Sequence, residues 1–485
     1  MLRKNLFKST LIFTIAGAFP LLSGILLLPF YIEYLDENLF GKFSLYFAIT
    51  LFFQGIILFS TEQKTAVEAV EYSDNQDLKK LKISTNNIYG LRFAVFVFIG
   101  VGLVQLFFGR AIESALELQF FPFIWMSILT SLFNAAFKQY TYLLMYEQKP
   151  QQYFLANLFN FIATMAISVW GLYYFKNDLM GPLLGRFLSG VLIFLIAIFY
   201  MTKNIGWRFD STEKKAIFKY SWPLILFLLF TWLASYSDRF IIQHFLSLDQ
   251  VGIFDFVLKC TVGIEVVLGT LATVIYPKIF SLFKRRDELG EDVFVYRVGQ
   301  YFYGLMAITF AAILFTMVSI PILANWFIHK QLFIDALQYL PLLSAGFLYR
   351  ILFYNYHAPL MYLKLTRLLP LNLAMSAGIQ IILSVPLIGF LGIQGAVWAF
   401  ILGKMISSLV FWLMMKKHYT VKVNVMQQII YPTIATVTCW VFLKFNLTDY
   451  KWVLVQCLAL LALTVLFFIK EIRNIRLYKI LVGKR

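Results

Sequence analysis

The sequence predicts an all-α polytopic membrane protein of about 14 transmembrane helices: two parallel-repeated six-helix lobes followed by two C-terminal helices. Three observations predict it. The 485 residues are 60% hydrophobic with a mean hydropathy of +0.76, which no soluble domain of this length would show. Fourteen apolar segments are each long enough to cross a bilayer as a helix. Polar residues inside those segments recur at a shift of 216 residues: Asn134, Lys138, Thr141 and Met145 fall on Arg350, Tyr354, His357 and Met361. Asn160, Thr164 and Ser168 likewise fall on Ser376, Gln380 and Ser384. Polar groups are costly in hydrocarbon, so this shared register points to an internal cavity.

The first segment, 10–28, follows Arg3 and Lys4 and contains Ala16-Gly17-Ala18, which resembles a signal peptide. The apolar run continues to Leu28 and Pro20 is badly placed for cleavage, so it reads as a first helix. Segment 40–60 opens with Phe40-Gly41-Lys42-Phe43, matched 211 residues later by Val251-Gly252-Ile253-Phe254. The connection 61–87 mixes Glu62, Glu68, Glu71, Asp74 and Asp77 with four lysines and reads as an amphipathic or solvated helix. Segments 88–108, 120–145, 153–175 and 179–201 complete the first lobe, residues 1–205. Segments 221–246, 250–277, 298–325, 333–362, 368–390 and 392–415 form the second, residues 206–420. Segments 427–445 and 451–470 have no counterpart and form, with a basic tail, a third region, 421–485. Six helices per lobe is an even number, so both lobes enter the membrane in the same direction.

The net charge of +17 invites a nucleic-acid reading, and its distribution excludes one. Of the 42 Lys and Arg, 29 fall at the termini and in alternate connections and five in the others. The rich side includes the Lys64–Lys82, Lys203–Lys219 and Lys278–Arg297 groups, Lys422 and the tail from Lys470 on. This is the positive-inside bias, and it predicts both termini in the cytoplasm. The outward connections are a dozen residues or fewer and hold no outer domain. No phosphate-binding glycine loop, HExxH pair or nucleophile elbow occurs, so neither ATP-driven pumping nor an enzyme is expected. Cys260, Cys439 and Cys457 lie in apolar segments without metal spacing and read as packing residues.

Eight cations lie inside the spans: Lys42, Arg92, Lys138, Arg186, Arg239, Lys259, Arg350 and Lys404. Three acids accompany them: Asp238, Asp255 and Glu265. Facing lipid, each cation would cost about 2.5–3.5 kcal/mol, so they must face protein or water. Lys42 and Arg92 sit near span ends and can snorkel to the interface. Asp255 and Lys259, spaced i, i+4, can neutralise each other. Asp238 and Arg239 are adjacent, point about 100° apart, and are expected to need separate partners. Lys138 and Arg350 are the strongest substrate-contact candidates, with Arg239, Lys259, Arg186 and Lys404 behind them. Asn134, Asn157, Asn160, Tyr354, His357, Asn372 and Gln380 are the cavity-lining polar candidates. Interhelical hydrogen bonding is the competing reading for the Asn stripes, and simple packing for His357. Asp238, Asp255 and Glu265 are candidates for coupling to Na+ or H+; no cofactor or bound metal is expected. A cationic cavity attracts an anion, and Arg forks onto phosphate oxygens.

Three stretches carry a family resemblance. They are Leu28-Pro29-Phe30 through Glu37-Asn38-Leu39-Phe40-Gly41-Lys42-Phe43; Ser237-Asp238-Arg239-Phe240-Ile241-Ile242 with Leu248-Asp249-Gln250-Val251-Gly252-Ile253-Phe254; and Leu391-Gly392-Ile393-Gln394-Gly395-Ala396-Val397-Trp398. On these the chain resembles the Wzx-type polysaccharide flippases, in the superfamily that holds the lipid II flippase and the multidrug-extrusion (MATE) transporters. The resemblance implies a flippase for undecaprenyl-diphosphate-linked oligosaccharides, of O-antigen, capsule or exopolysaccharide, working by alternating access. It implies the bacterial cytoplasmic (inner) membrane, with the lipid-linked oligosaccharide, membrane lipids and the pathway's polymerase and chain-length proteins as partners, and no nucleic acid. Segment 10–28 lacks the arginine of the lipid II branch, which disfavours the peptidoglycan precursor. A cation/drug antiporter would need an anionic cleft. A polymerase would need a large outer loop.

Overall fold

The computed structural model describes residues 2–365, 367–418, 425–447 and 449–474. Lys422 and the tail cations from Arg476 on lie outside the described residues, as do the side chains of Arg3, Lys4, Lys8, Lys470 and Arg473. The described chain is helical almost throughout, with no strand. Nineteen helices follow in order. The first eight are α1 (Leu2–Tyr34), α2 (Glu37–Ile56), α3 (Thr61–Glu71), α4 (Gln76–Leu116), α5 (Trp125–Tyr146), α6 (Pro150–Tyr174), α7 (Met180–Asn204) and α8 (Lys214–Phe245). Then come α9 (Leu248–Cys260), α10 (Val262–Lys284), α11 (Arg286–Leu289), α12 (Glu291–Phe327), α13 (Gln331–Ala336), α14 (Leu340–Gly346) and α15 (Arg350–Tyr362). The last are α16 (Leu368–Leu391), α17 (Ile393–Lys416), α18 (Val425–Lys444) and α19 (Tyr450–Asn474).

Twelve helical stretches among the described residues are long and apolar enough to cross a membrane, against the fourteen expected. Segment 250–277 is broken at Thr261 into α9 and α10, and segment 427–445 is α18; these two are helical but not among the twelve. Span 333–362 is one crossing assembled from α13, α14, α15 and intervening 3-10 turns.

Local chemistry sets the helix ends. Asp36 caps α2, its Oδ1 accepting from Leu39 N at 2.8 Å, and Asn75 caps α4 in the same way. Phe59 and Ser60 adopt left-handed backbone, which turns the chain between α2 and α3. Gly392, at φ +62° and ψ −139°, separates α16 from α17 with a backbone only glycine adopts readily.

The chain divides into two compact units, Met1–Gly252 and Ile253–Arg485. In the first, α6 packs on α1 and α7, and α5 packs on α2, α3 and α7. Helix α8, which the sequence repeat assigns to the second lobe, lies within this unit against α2 and α4. A buried cluster around Ile83, Leu143, Leu144, Ile193 and Ala197 forms part of its core. Its connections segregate to two ends. At one end the Asn177 side chain accepts from Asp36 N at 3.0 Å, Tyr46 donates to the Gln119 carbonyl, and Gln243 donates to the Ala115 carbonyl. At the other, Lys79 pairs with Glu147 and Lys82 with Glu213, both at 2.6 Å. They are the two sets of connections that the charge distribution separates. In the second unit α16 packs on α17, α10 on α12, and α18 on α19, and Phe294, Phe302, Tyr356 and Phe411 are buried in one cluster.

Candidate functional site

In the first unit, Lys138 lies on α5 between α3 and the end of the helix. Its Nζ is 3.1 Å from Glu62 Oε1 and 5.4 Å from the Tyr142 ring centre. The lysine side chain is 32% exposed while the glutamate is 6% exposed, so the ammonium reaches open space from a buried anchor. Glu62 belongs to a buried polar cluster that the sequence reading missed. Helix α3 is not a solvated helix: Glu62, Lys64, Thr65 and Glu68 face inward, while Val67 and Val70 are about half exposed. Lys64 pairs with Glu68, and Asn86 donates to Glu68 Oε2 at 2.6 Å. Gln139 donates to Thr65 Oγ1 at 3.1 Å and to Asn87. Polar groups removed from water must find partners, and three helices supply them here. The signal was legible: Glu62, Thr65 and Glu68 recur every three residues, one face of a helix.

At the adjoining connection Glu147 bonds Lys79 at 2.6 Å and Lys149 at 2.7 Å. Burial alone would raise its carboxyl; the hydrogen bonds from Lys149 and Lys79 outweigh it and hold the group below the usual carboxylate range. Burial would lower the Lys149 ammonium, and the bonds it donates to Glu147 and Tyr200 raise it instead.

In the second unit Arg350 donates to Glu265 Oε1 at 2.7 Å, with its guanidinium 5.9 Å from both the Phe353 and Tyr354 ring centres. Lys404 adds its field to the same carboxylate and lies 4.9 Å from the Phe400 ring centre. Arg350, Tyr354, Glu265 and Lys404 are thus brought together. His357 is packed, with its ring 5.4 Å from Tyr276 and 5.2 Å from Phe353.

The remaining candidates are placed differently. Asp255, 1% exposed, bonds Lys259 at 2.6 Å, the i, i+4 neutralisation expected. The expectation that Asp238 and Arg239 need separate partners is corrected. Arg239 Nη1 bonds Asp238 Oδ1 at 2.9 Å and the Ser235 carbonyl at 2.9 Å. A guanidinium is long enough to curl back across the 100° between neighbouring Cβ atoms. Asn157 donates to its own helix at Tyr153 O, and Asn160 accepts from Thr164 one turn on. Gln380 donates to Ser384 and lies against Gly403, where a Cβ would strike its amide. Asn372 is buried and its Oδ1 has no partner, while Asn134 is half-buried. Arg92 stacks on Phe209, its guanidinium 4.1 Å from the ring centre. Arg186 lies apart, among the rings of Tyr31, Phe43 and Phe47. A crevice between α2, α4 and α5 is walled by apolar side chains including Ile49, Val101 and Ile128, and offers nothing to a polar headgroup.

A family model described as "Polysaccharide biosynthesis protein" matches residues 6–283, more than half of the chain. No curated protein matches significantly. Among solved structures, "Lipid II flippase MurJ, inward closed conformation" superposes with a TM-score of 0.66 at 16% identity, covering 95% of this chain and 100% of that one. An inward-facing multidrug resistance MATE transporter of the MOP superfamily gives 0.62 at 13% identity, covering 83% and 94%. A MOP superfamily transporter from Pyrococcus furiosus, described as having a binding pocket of reversed polarity, gives 0.54 at 13%, covering 84% and 93%. These likenesses establish the fold, and the twelve spans make this a multi-pass membrane protein.

Proposed function

Starting from the fact that the chain belongs to the polysaccharide biosynthesis protein family, we propose that it is a flippase. Its cargo in this reading is an undecaprenyl-diphosphate-linked oligosaccharide of O-antigen, capsule or exopolysaccharide, carried from the cytoplasmic to the outer leaflet of the inner membrane by alternating access. The lobes 1–205 and 206–420 are the moving parts, with 421–485 as an accessory pair and tail. The family match carries the proposal, and the fold shared with a lipid II flippase supports it. The spans add cations in excess of acids, a field suited to a diphosphate. The MATE fold also suits a drug or cation exporter, but the excess of cations over acids in the spans disfavours that cargo.

Lys138 and Arg350 are held by Glu62 and Glu265 before any substrate arrives. A phosphate group therefore binds by sharing or displacing those carboxylates. Asp238 and Asp255 are engaged with cations on their own helices, whereas the Glu265 side chain is 50% exposed. Glu265 is accordingly the coupling carboxylate of this proposal, for H+ or Na+. One charge moved through 100 mV supplies about 2.3 kcal/mol. Deleting the gene in its host tests the cargo. The expected result is single repeat units accumulating on their lipid carrier at the cytoplasmic face. Single units delivered outward unpolymerised would instead identify a polymerase.

A further inference from the structure

Among the described residues, Arg186 is a cation with no carboxylate beside it. Its Cζ lies 4.4 Å from the Phe47 ring centre, 5.5 Å from Phe43 and 5.9 Å from Tyr31. Its Nε is buried without a hydrogen-bond partner, and no carboxylate of the described residues pairs with it. Tyr31 is 2% exposed, and its hydroxyl is also unpartnered. An arginine in a protein keeps its proton and only donates, and a tyrosine hydroxyl can donate beside it. Aromatic faces stabilise the guanidinium from its sides but leave its N–H edge unsatisfied. Two buried groups border one cage, and neither has a partner among the described residues, which calls for an acceptor from outside.

The arginine is held firmly. A Cβ on Gly185 would strike the Ser168 backbone of α6, and one on Gly181 would meet Gly171, so the glycine face of α7 is locked against α6. The start of α7 is tied to the α1–α2 turn, where Asn177 N donates to Tyr34 O at 3.0 Å. This is the end of the first unit opposite the Glu62–Lys138 cluster.

We infer that Arg186, with the Tyr31 hydroxyl, forms an oxyanion site that takes a phosphoryl or carboxylate group through the Nε edge of the guanidinium. Resting on the proposed function and its charge-derived topology, it is a release-side station for the headgroup, beyond the inner Lys138 cluster.

The test measures equilibrium binding of two probes to the purified full-length protein in lipid nanodiscs: inorganic pyrophosphate and farnesyl diphosphate, with farnesol as the uncharged control. Wild type is expected to bind both diphosphates and not farnesol. Arg186→Gln should weaken both by on the order of tenfold or more, Arg186→Lys by less, and Tyr31→Phe by a few-fold, with melting temperatures unchanged. Tyr31→Phe keeps the test valid if the arginine variants fold poorly. Equal affinities in wild type and Arg186→Gln, or no diphosphate binding by wild type, would overturn the site. Arg186-dependent binding of pyrophosphate without farnesyl diphosphate would uphold the site as one for a soluble oxyanion and count against the lipid-linked cargo.

Discussion

At the residue scale the Lys138–Glu62 pair is the most exposed to test. Glu62 is buried, so removing its partner strands a charge in a poor solvent. Because Lys138 keeps about a third of its side chain exposed, the cost is put at about 1–3 kcal/mol rather than that of a fully buried pair. Lys138→Gln should therefore destabilise the protein, and Glu62→Gln in the same chain should restore most of the loss, measured by thermal denaturation of single and double variants. A second prediction concerns pH. The Glu147 carboxyl is depressed, so its contribution is whole above the ordinary carboxylate value of 4.5 and drains away as pH falls through the lowered folded value. Lys149 is raised, so its share is whole below 10.5 and is lost as pH rises through the raised value. Glu147→Gln should flatten the acid limb of a melting-temperature profile while leaving stability across the neutral range only moderately lower. An acid limb as steep as that of wild type would remove Glu147 from the explanation.

At the element scale, close approach at small residues holds the helices together. A Cβ on Gly41 of α2 would collide with the Leu248 carbonyl at the start of α9, and one on Gly252 with the Glu37 carbonyl. These are the glycines that the sequence repeat places in matching positions, and each lies against the other's backbone. Gly41→Val or Gly252→Val should lower stability by about 1–3 kcal/mol. Gly102, in α4 with open space around its Cα, should accept Ala at no cost. Thermal melts of the three variants decide the matter. Much of this was legible beforehand. Apolar length and alternating basic connections gave the spans and their two ends, because hydrocarbon thickness and charge asymmetry act on local sequence. What escaped were pairings across sequence distance. Lys138 and Glu62 are 76 residues apart, and the connection 61–87 reads as an amphipathic or solvated helix, with nothing local to say that the polar face of α3 is the buried one and Val67 and Val70 the exposed one. Asp238 and Arg239 escaped for the opposite reason, since Cβ directions alone understate the reach of a guanidinium.

At the scale of the whole molecule, a chain with partly buried cations in each of its two units has to keep them satisfied when no ligand is bound. Carboxylates do so at Lys138 and Arg350, and aromatic faces do so in part at Arg186. On the proposed function, an anionic headgroup would trade places with these partners without leaving a bare charge in the membrane. If Glu265 couples this exchange to an ion gradient, Glu265→Gln should abolish the gradient dependence of transport while substrate binding persists. The decisive measurement is translocation by the purified protein in proteoliposomes carrying a prenyl-diphosphate-linked oligosaccharide in one leaflet, with a lectin or glycosidase reporting arrival in the other. The account predicts transfer that requires the protein and falls sharply in the Arg350→Gln and Arg186→Gln variants. Transfer no faster than in protein-free vesicles, under an imposed proton or sodium gradient of either sign, would contradict it.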